Sequence, residues 1–221
     1  MTDPAKRYDL IVFDWDGTLF DSTALIVRCI QAACRDVGAA VPSDAQAAYV
    51  IGLGLDDALR LAAPALPRER YRDLGARYRH HYLASRHELS LFPGTLAMLH
   101  GLRERRHLLG VATGKTRRGL DEALGTAQLD GLFDATRTAD ETASKPDPRM
   151  LRELMDELGV APERTLMVGD TTHDLQLAVN AGTPRLAVAY GAHEPGAFHE
   201  HAPLAVVHST AELRDWLLAH G

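Results

Sequence analysis

The chain has 221 residues, enough for one large domain or a core that carries an insert. Its 46% hydrophobic and 24% charged residues exclude a disordered or collagen-like chain, and its longest uncharged stretch, the 14 residues Leu89–Leu102 with Pro93 and two glycines, is too short to span a bilayer. Twenty-four Lys and Arg against thirty Asp and Glu leave a net charge of −6, the wrong sign for a protein whose main partner is nucleic acid.

Tyr8–Phe13 is a short apolar run of strand formers that stops at Asp14 before a Gly-Thr turn. From Ser22 the period changes: Leu25, Ile26, Cys29, Ile30, Ala33 and Val37 mark one helix face, with Asp21 or Ser22 as its cap and Gly38 as its stop. Cys29 and Cys34 lie five apart in this helix, the spacing of neither a zinc site nor a redox pair, and are expected to be reduced packing residues. No second strand-like run occurs before about residue 88. Instead Tyr71, Leu74, Tyr78 and Tyr82 recur at helical spacing, which predicts a helical insert. Arg68, Arg70, Arg72, Arg77, Arg79 and Arg86, with His80 and His81, make this insert basic, which reads as a solvated helix face, with steering of an anionic substrate as the alternative.

After Phe92-Pro93-Gly94, strand and helix patterns alternate. Strands are predicted at His107–Ala112, Asp134–Ala139, Thr165–Gly169, Arg185–Ala189 and Leu204–Val207. Helices are predicted at Thr116–Leu124, Pro148–Leu158, Leu175–Ala181 (closed by Gly182) and Glu212–Ala219. Such alternation implies crossover units and a parallel sheet with helices on both faces. His193, His199 and His201 fall in a Gly- and Pro-containing loop without a ligand pattern and are expected at the surface.

Three of these strands run into polar residues: Phe13 into Asp14, Ala112 into Thr113, and Gly169 into Asp170. Ligands of open parallel sheets bind in the crevice beyond the carboxyl ends of the strands, so residues distant in sequence meet there. Lys145, in the turn Ser144-Lys145-Pro146-Asp147-Pro148 before a helix, is placed to reach the same crevice.

The ordered set Asp14-Trp15-Asp16-Gly17-Thr18-Leu19-Phe20-Asp21, Thr113, Lys145 and Gly169-Asp170-Thr171-Thr172-His173-Asp174 resembles the haloacid dehalogenase superfamily over essentially the whole chain. The insert resembles the small helical cap of its phosphoglycolate phosphatase and β-phosphoglucomutase branch. The resemblance implies an α/β fold, a Rossmann-like parallel sheet core formed by residues 1–20 and 89–221, with an inserted α-helical cap at 21–88.

Physical chemistry assigns these residues compatible work. A carboxylate can attack phosphorus and so divide one difficult displacement into two, and Asp14 is the candidate. Asp16, two residues on, can give a proton to the leaving alkoxide and later take one from water. Asp170 and Asp174, four apart at a helix start, face one way and with Asp14 and Asp16 gather four carboxylates. Two unit charges at ~4 Å repel by about 4 kcal/mol at an effective dielectric of ~20, so the group calls for a cation, and hard oxygen ligands beside a phosphate favour Mg²⁺. By resemblance the metal ligands are the Asp14 carboxylate, the Asp16 backbone carbonyl and Asp170, with Asp174 acting through water or by orienting Lys145. Lys145 by the same resemblance neutralises phosphate and nucleophile.

Thr113 offers a hydroxyl to a phosphate oxygen, and the Gly114 amide an anion-binding N–H at the following helix start. Lys115 is expected to be a surface lysine at that start, with a substrate contact as the alternative. Gly52-Leu53-Gly54-Leu55 lacks the preceding strand of a dinucleotide fingerprint. In related caps such a loop leans over the substrate, which places Gly54 among the substrate-binding residues, and an ordinary helix connection is the alternative. The expected function is a Mg²⁺-dependent phosphatase of small phosphomonoesters, 2-phosphoglycolate or a similar compact metabolite. A sugar phosphomutase is the nearest rival and a phosphorylatable receiver-like module a distant one. No charged-then-apolar leader follows Met1, so a cytoplasmic location is the default expectation; the expected partner is a small phosphorylated metabolite, with no nucleic acid or membrane, for a monomer or homodimer.

Overall fold

The structure is a computed structural model that describes residues 6–221. Six strands, β1 (Leu10–Phe13), β2 (Leu108–Thr113), β3 (Ala135–Thr138), β4 (Thr165–Gly169), β5 (Arg185–Val188) and β6 (Val206–Val207), form one sheet in the order β3-β2-β1-β4-β5-β6. All five pairings are parallel. β1 is central and buried on both faces, which is why its sequence, Leu-Ile-Val-Phe, is a continuous apolar run rather than an alternation.

Successive side chains point to opposite faces. Ile11 and Phe13 join Leu109, Val111, Leu166 and Val168 against α5 (Thr95–Glu104), α6 (Arg117–Thr126) and α9 (Thr210–His220). Leu10, Val12 and Met167 turn to α7 (Arg149–Leu158) and α8 (Thr172–Ala181). Trp15, fully buried, packs on Phe20 and Phe133 at the upper edge of the first of these faces.

The insert folds as α1 (Thr23–Asp36), α2 (Asp44–Tyr49), α3 (Leu55–Ala62) and α4 (Tyr71–Ser85), with an apolar centre of its own that includes Ile30, Cys34, Leu59 and Leu74. Cys29 and Cys34 are both buried there, as packing residues should be. Its two ends leave the core side by side: the Asp21 amide donates to Ser90 O at 2.9 Å, and the Phe92 amide to Leu19 O at 3.0 Å. The helices therefore sit over the carboxyl ends of the strands. No helix among the described residues is long and apolar enough to cross a membrane.

Besides shifts of one or two residues at element ends, the elements depart from the sequence reading in three places. α5 is an additional helix, although its buried Thr95, Met98, Leu99 and Leu102 carry helical spacing. α8 begins three residues early, at Thr172, because Thr171 and Asp174 form a capping box. Ser22 takes the cap position of α1 but does not cap it with its side chain; its hydroxyl is given to Asp16 instead.

The buried Thr95 hydroxyl has no hydrogen-bond partner among the described residues. Burying an unsatisfied hydroxyl costs free energy that an isosteric methyl does not. Thr95→Val is therefore expected to leave the protein unchanged or more stable by up to about 2 kcal/mol in urea unfolding; a loss above about 1 kcal/mol would show that the hydroxyl is satisfied.

Candidate active site

Asp14 follows β1 directly and is buried. Its Oδ1 lies 2.5 Å from Lys145 Nζ, and the same ammonium lies 2.6 Å from Asp174 Oδ1. Lys145 thus reaches the crevice from the turn before α7, as its position suggested, and Asp174 orients it. Asp174 is itself fixed by the Thr171 amide and hydroxyl, which donate to its Oδ2 at 3.1 and 2.7 Å. Asp170, one residue past β4, accepts from the Thr18 hydroxyl and the Ala192 amide, both at 2.7 Å. Gly17 makes that approach possible: it has φ +86°, and a Cβ there would stand 2.2 Å from Asp170 Oδ2.

Asp14, Asp170 and Asp174 each offer an oxygen within 4.8 Å of the others. Three carboxylates against the single Lys145 ammonium leave two negative charges in excess when all are ionised. The cost is visible in their proton affinities. Burial, with the Asp174 and Asp170 charges adding to it and Lys145 opposing, pushes Asp14 well above the ordinary carboxylate range. Burial and the Asp174 charge likewise raise Asp170 to about 7. Burial disfavours the charge on Lys145, yet the two carboxylates outweigh it and its pKa is raised. One oxygen, Asp14 Oδ2, is buried without a hydrogen-bond partner among the described residues. Hard oxygens, an excess of two negative charges and an orphaned carboxylate oxygen together fit a divalent hard cation such as Mg²⁺.

Asp16 does not join this group through its carboxylate, so three rather than four carboxylates meet. Its Oδ1 accepts from the Ser22 hydroxyl at 2.6 Å, and its Oδ2 lies 3.0 Å from Lys115 Nζ. Lys115 is not the surface residue expected. Its ammonium also donates to the Tyr82 hydroxyl on α4 at 3.0 Å, and Asp16 and Tyr82 together raise its pKa against the effect of burial. Its partners are 99 and 33 residues away, beyond the reach of any local sequence pattern.

Thr113 ends β2, and its hydroxyl oxygen accepts from the Lys115 amide at 3.2 Å, leaving the O–H to donate. Gly114 is not at a helix start: α6 begins at Arg117 under a Thr116 cap. Its own reason is steric, since a Cβ there would lie 2.2 Å from Leu53 O and 2.6 Å from Gly52 O. The cap loop is seated on the core at this point. Gly54, at the start of α3, stands against Ala139 and Ser144, and its amide donates to Ser144 Oγ at 2.9 Å.

The late loop also differs from expectation. His193 is buried: its Nδ1 accepts from the Thr172 amide at 3.1 Å, so its Nε2 carries the proton and donates to Tyr49 O at 3.0 Å. His173 Nε2 donates to the same carbonyl at 2.7 Å. Two core histidines thus hold the end of α2. His199 is exposed and His201 half-buried.

Comparison with known proteins agrees with this geometry. The sequence matches the family "Haloacid dehalogenase-like hydrolase" over residues 11–188. It is 34% identical over 191 residues to the phosphoglycolate phosphatase of Aliivibrio fischeri, covering 82% of this chain and 84% of that one. It is 32% identical over 238 residues to the 5'-nucleotidase of Pseudomonas aeruginosa, covering all of both. The crystal structure of a hydrolase from Pseudomonas syringae superposes with a TM-score of 0.86 at 21% identity, over 96% of this chain and 98% of that one, which shows the shared fold.

The charge excess has a measurable sign. Asp170 titrates near 3.8 when unfolded and about 7 when folded, so between these values the folded chain holds a proton that the unfolded chain has lost. The metal-free protein is expected to lose stability as pH rises from about 4 to 7. Mg²⁺ should then raise the melting temperature more at pH 8 than at pH 5. An equal gain at both would remove the carboxylate group as its binding site.

Proposed function

The chain belongs to the haloacid dehalogenase-like hydrolases, and on that premise we propose that it cleaves phosphate monoesters through an aspartyl-phosphate on Asp14. The observation that carries this is the setting of the Asp14 carboxylate: it is buried at the end of β1, Lys145 holds its Oδ1, and the Asp170 and Asp174 carboxylates stand beside it.

In the first step the Asp14 carboxylate attacks phosphorus, the bond to the ester oxygen breaks, and the departing alkoxide takes a proton from Asp16. In the second, water attacks the same phosphorus and returns a proton to Asp16; the acyl-phosphate bond breaks, and phosphate leaves with the Asp14 carboxylate restored. Thr113 and Lys145 bind the phosphoryl oxygens. Ser22 and Lys115 hold the Asp16 carboxylate in one orientation. Asp14, Asp170 and Asp174, with the Asp16 backbone carbonyl, would hold Mg²⁺, which supplies positive charge to the transferring phosphoryl group.

These residues address phosphate, proton and metal, which all phosphomonoesters share, and so leave the alcohol unspecified. Relatives named for phosphoglycolate and for 5'-nucleotides agree with that division. 2-Phosphoglycolate is the reference substrate against which others are measured.

Asp14→Asn should abolish phosphate release from every substrate while the protein still folds; activity above a tenth of wild type would exclude Asp14 as nucleophile. Asp16→Asn is expected to lower single-turnover phosphoryl transfer by about 10²–10⁴ for alkyl phosphates. Aryl phosphates, whose leaving groups need no proton, should suffer less. Equal losses would show that Asp16 is not the acid.

A further inference from the structure

With the cap loop seated on Gly114, a cavity of about 600 Å³ remains between the helical insert and the core. Asp16 and Lys115 form part of its wall. If Asp16 protonates the leaving oxygen, the rest of the departing alcohol occupies this cavity; the inference rests on the phosphatase reading in that respect. The volume is that of a site for a molecule of many non-hydrogen atoms. Glycolate, with two carbons and a carboxylate, would leave most of it unfilled.

The walls decide what kind of alcohol fits. Phe20, Ile26, Ile30, Leu53, Leu59 and Tyr78 line the interior. Burial pushes the Tyr78 hydroxyl well above its ordinary range, as expected where the surroundings do not favour an ionised group. Tyr78 and Tyr82 lie side by side, with ring centroids 6.0 Å apart and planes inclined by 26°, and present a broad aromatic surface. The one lysine in the wall is already engaged by Asp16 and Tyr82. Of the other charged groups that line it, Glu122 pairs with both Arg86 and Arg118, and Arg79 is exposed. Away from the Lys115–Asp16 pair these side chains make a hydrocarbon wall, which an apolar group would cover.

We propose that the preferred substrate is the phosphate monoester of a bulky, uncharged and largely apolar alcohol, with polar substituents only at the end distant from the phosphate. Transfer of such a group from water to the cavity wall lowers the free energy in proportion to the apolar area covered.

The test is a series of primary phosphates with similar leaving-group chemistry: ethyl phosphate, 2-phosphoglycolate, benzyl phosphate, 2-naphthylmethyl phosphate and adenosine 5'-monophosphate, assayed with Mg²⁺. kcat/KM should rise at least tenfold from ethyl to 2-naphthylmethyl phosphate, with 2-phosphoglycolate and the nucleotide below the latter. Two variants should flatten that ratio to threefold or less: Ala58→Phe, which fills the cavity, and Leu83→Glu, which puts a charge into its wall at a position 50% exposed and so tolerant of it. A flat or falling series with phosphate release that still depends on Asp14 would overturn the substrate class and leave the phosphatase reading intact. A nucleotide turned over faster than the naphthylmethyl ester would also overturn it, as would a ratio unaltered in a folded Leu83→Glu. Phosphate release from no member would defeat the phosphatase reading and the substrate class together.

Discussion

One ammonium group sits between two buried carboxylates, and the arrangement of the site follows from it. Lys145 lies within 2.6 Å of both Asp14 and Asp174 and is almost completely removed from water. Such a charge is tolerable only with its partners in place, and removing one member of a buried pair costs roughly 3–5 kcal/mol. The turn before α7, the end of β1 and the first turn of α8 are therefore drawn to one point. Because the ammonium answers only one of three negative charges, the same burial that holds the loops together also creates an affinity for a further cation.

The second pairing, Asp16 with Lys115, has a different character. It joins the core to the cap, because Lys115 also bonds Tyr82 of α4. Two lysines of the site thus have separate duties: Lys145 lies inside the proposed phosphate site, and Lys115 on the side where the proposed reaction releases the alcohol.

The sheet and the chemical residues were legible in the sequence because each depends on local pattern. An apolar strand ending in Asp14, Thr113 or Asp170 reveals the carboxyl edge of a parallel sheet without any knowledge of contacts. What escaped depends on distance along the chain. Lys115 reads as a surface residue until Tyr82 and Asp16 are brought beside it, and His193 until Thr172 and Tyr49 are. Gly114 reads as an anion-binding amide at a helix start; its need for no side chain comes from carbonyls about sixty residues earlier. α5 is the exception, since its apolar spacing was present and simply follows a Pro-Gly pair that reads as a break.

The hold of His173 and His193 on Tyr49 has an evolutionary side. What the two imidazoles grip is a main-chain carbonyl, which every amino acid supplies, while the Tyr49 side chain is 54% exposed and adds only ring contacts. Position 49 can therefore drift among residue types with the anchorage intact, whereas exchanging both histidines would strand that carbonyl. At this anchorage the burden of keeping the two halves joined falls on the core's sequence.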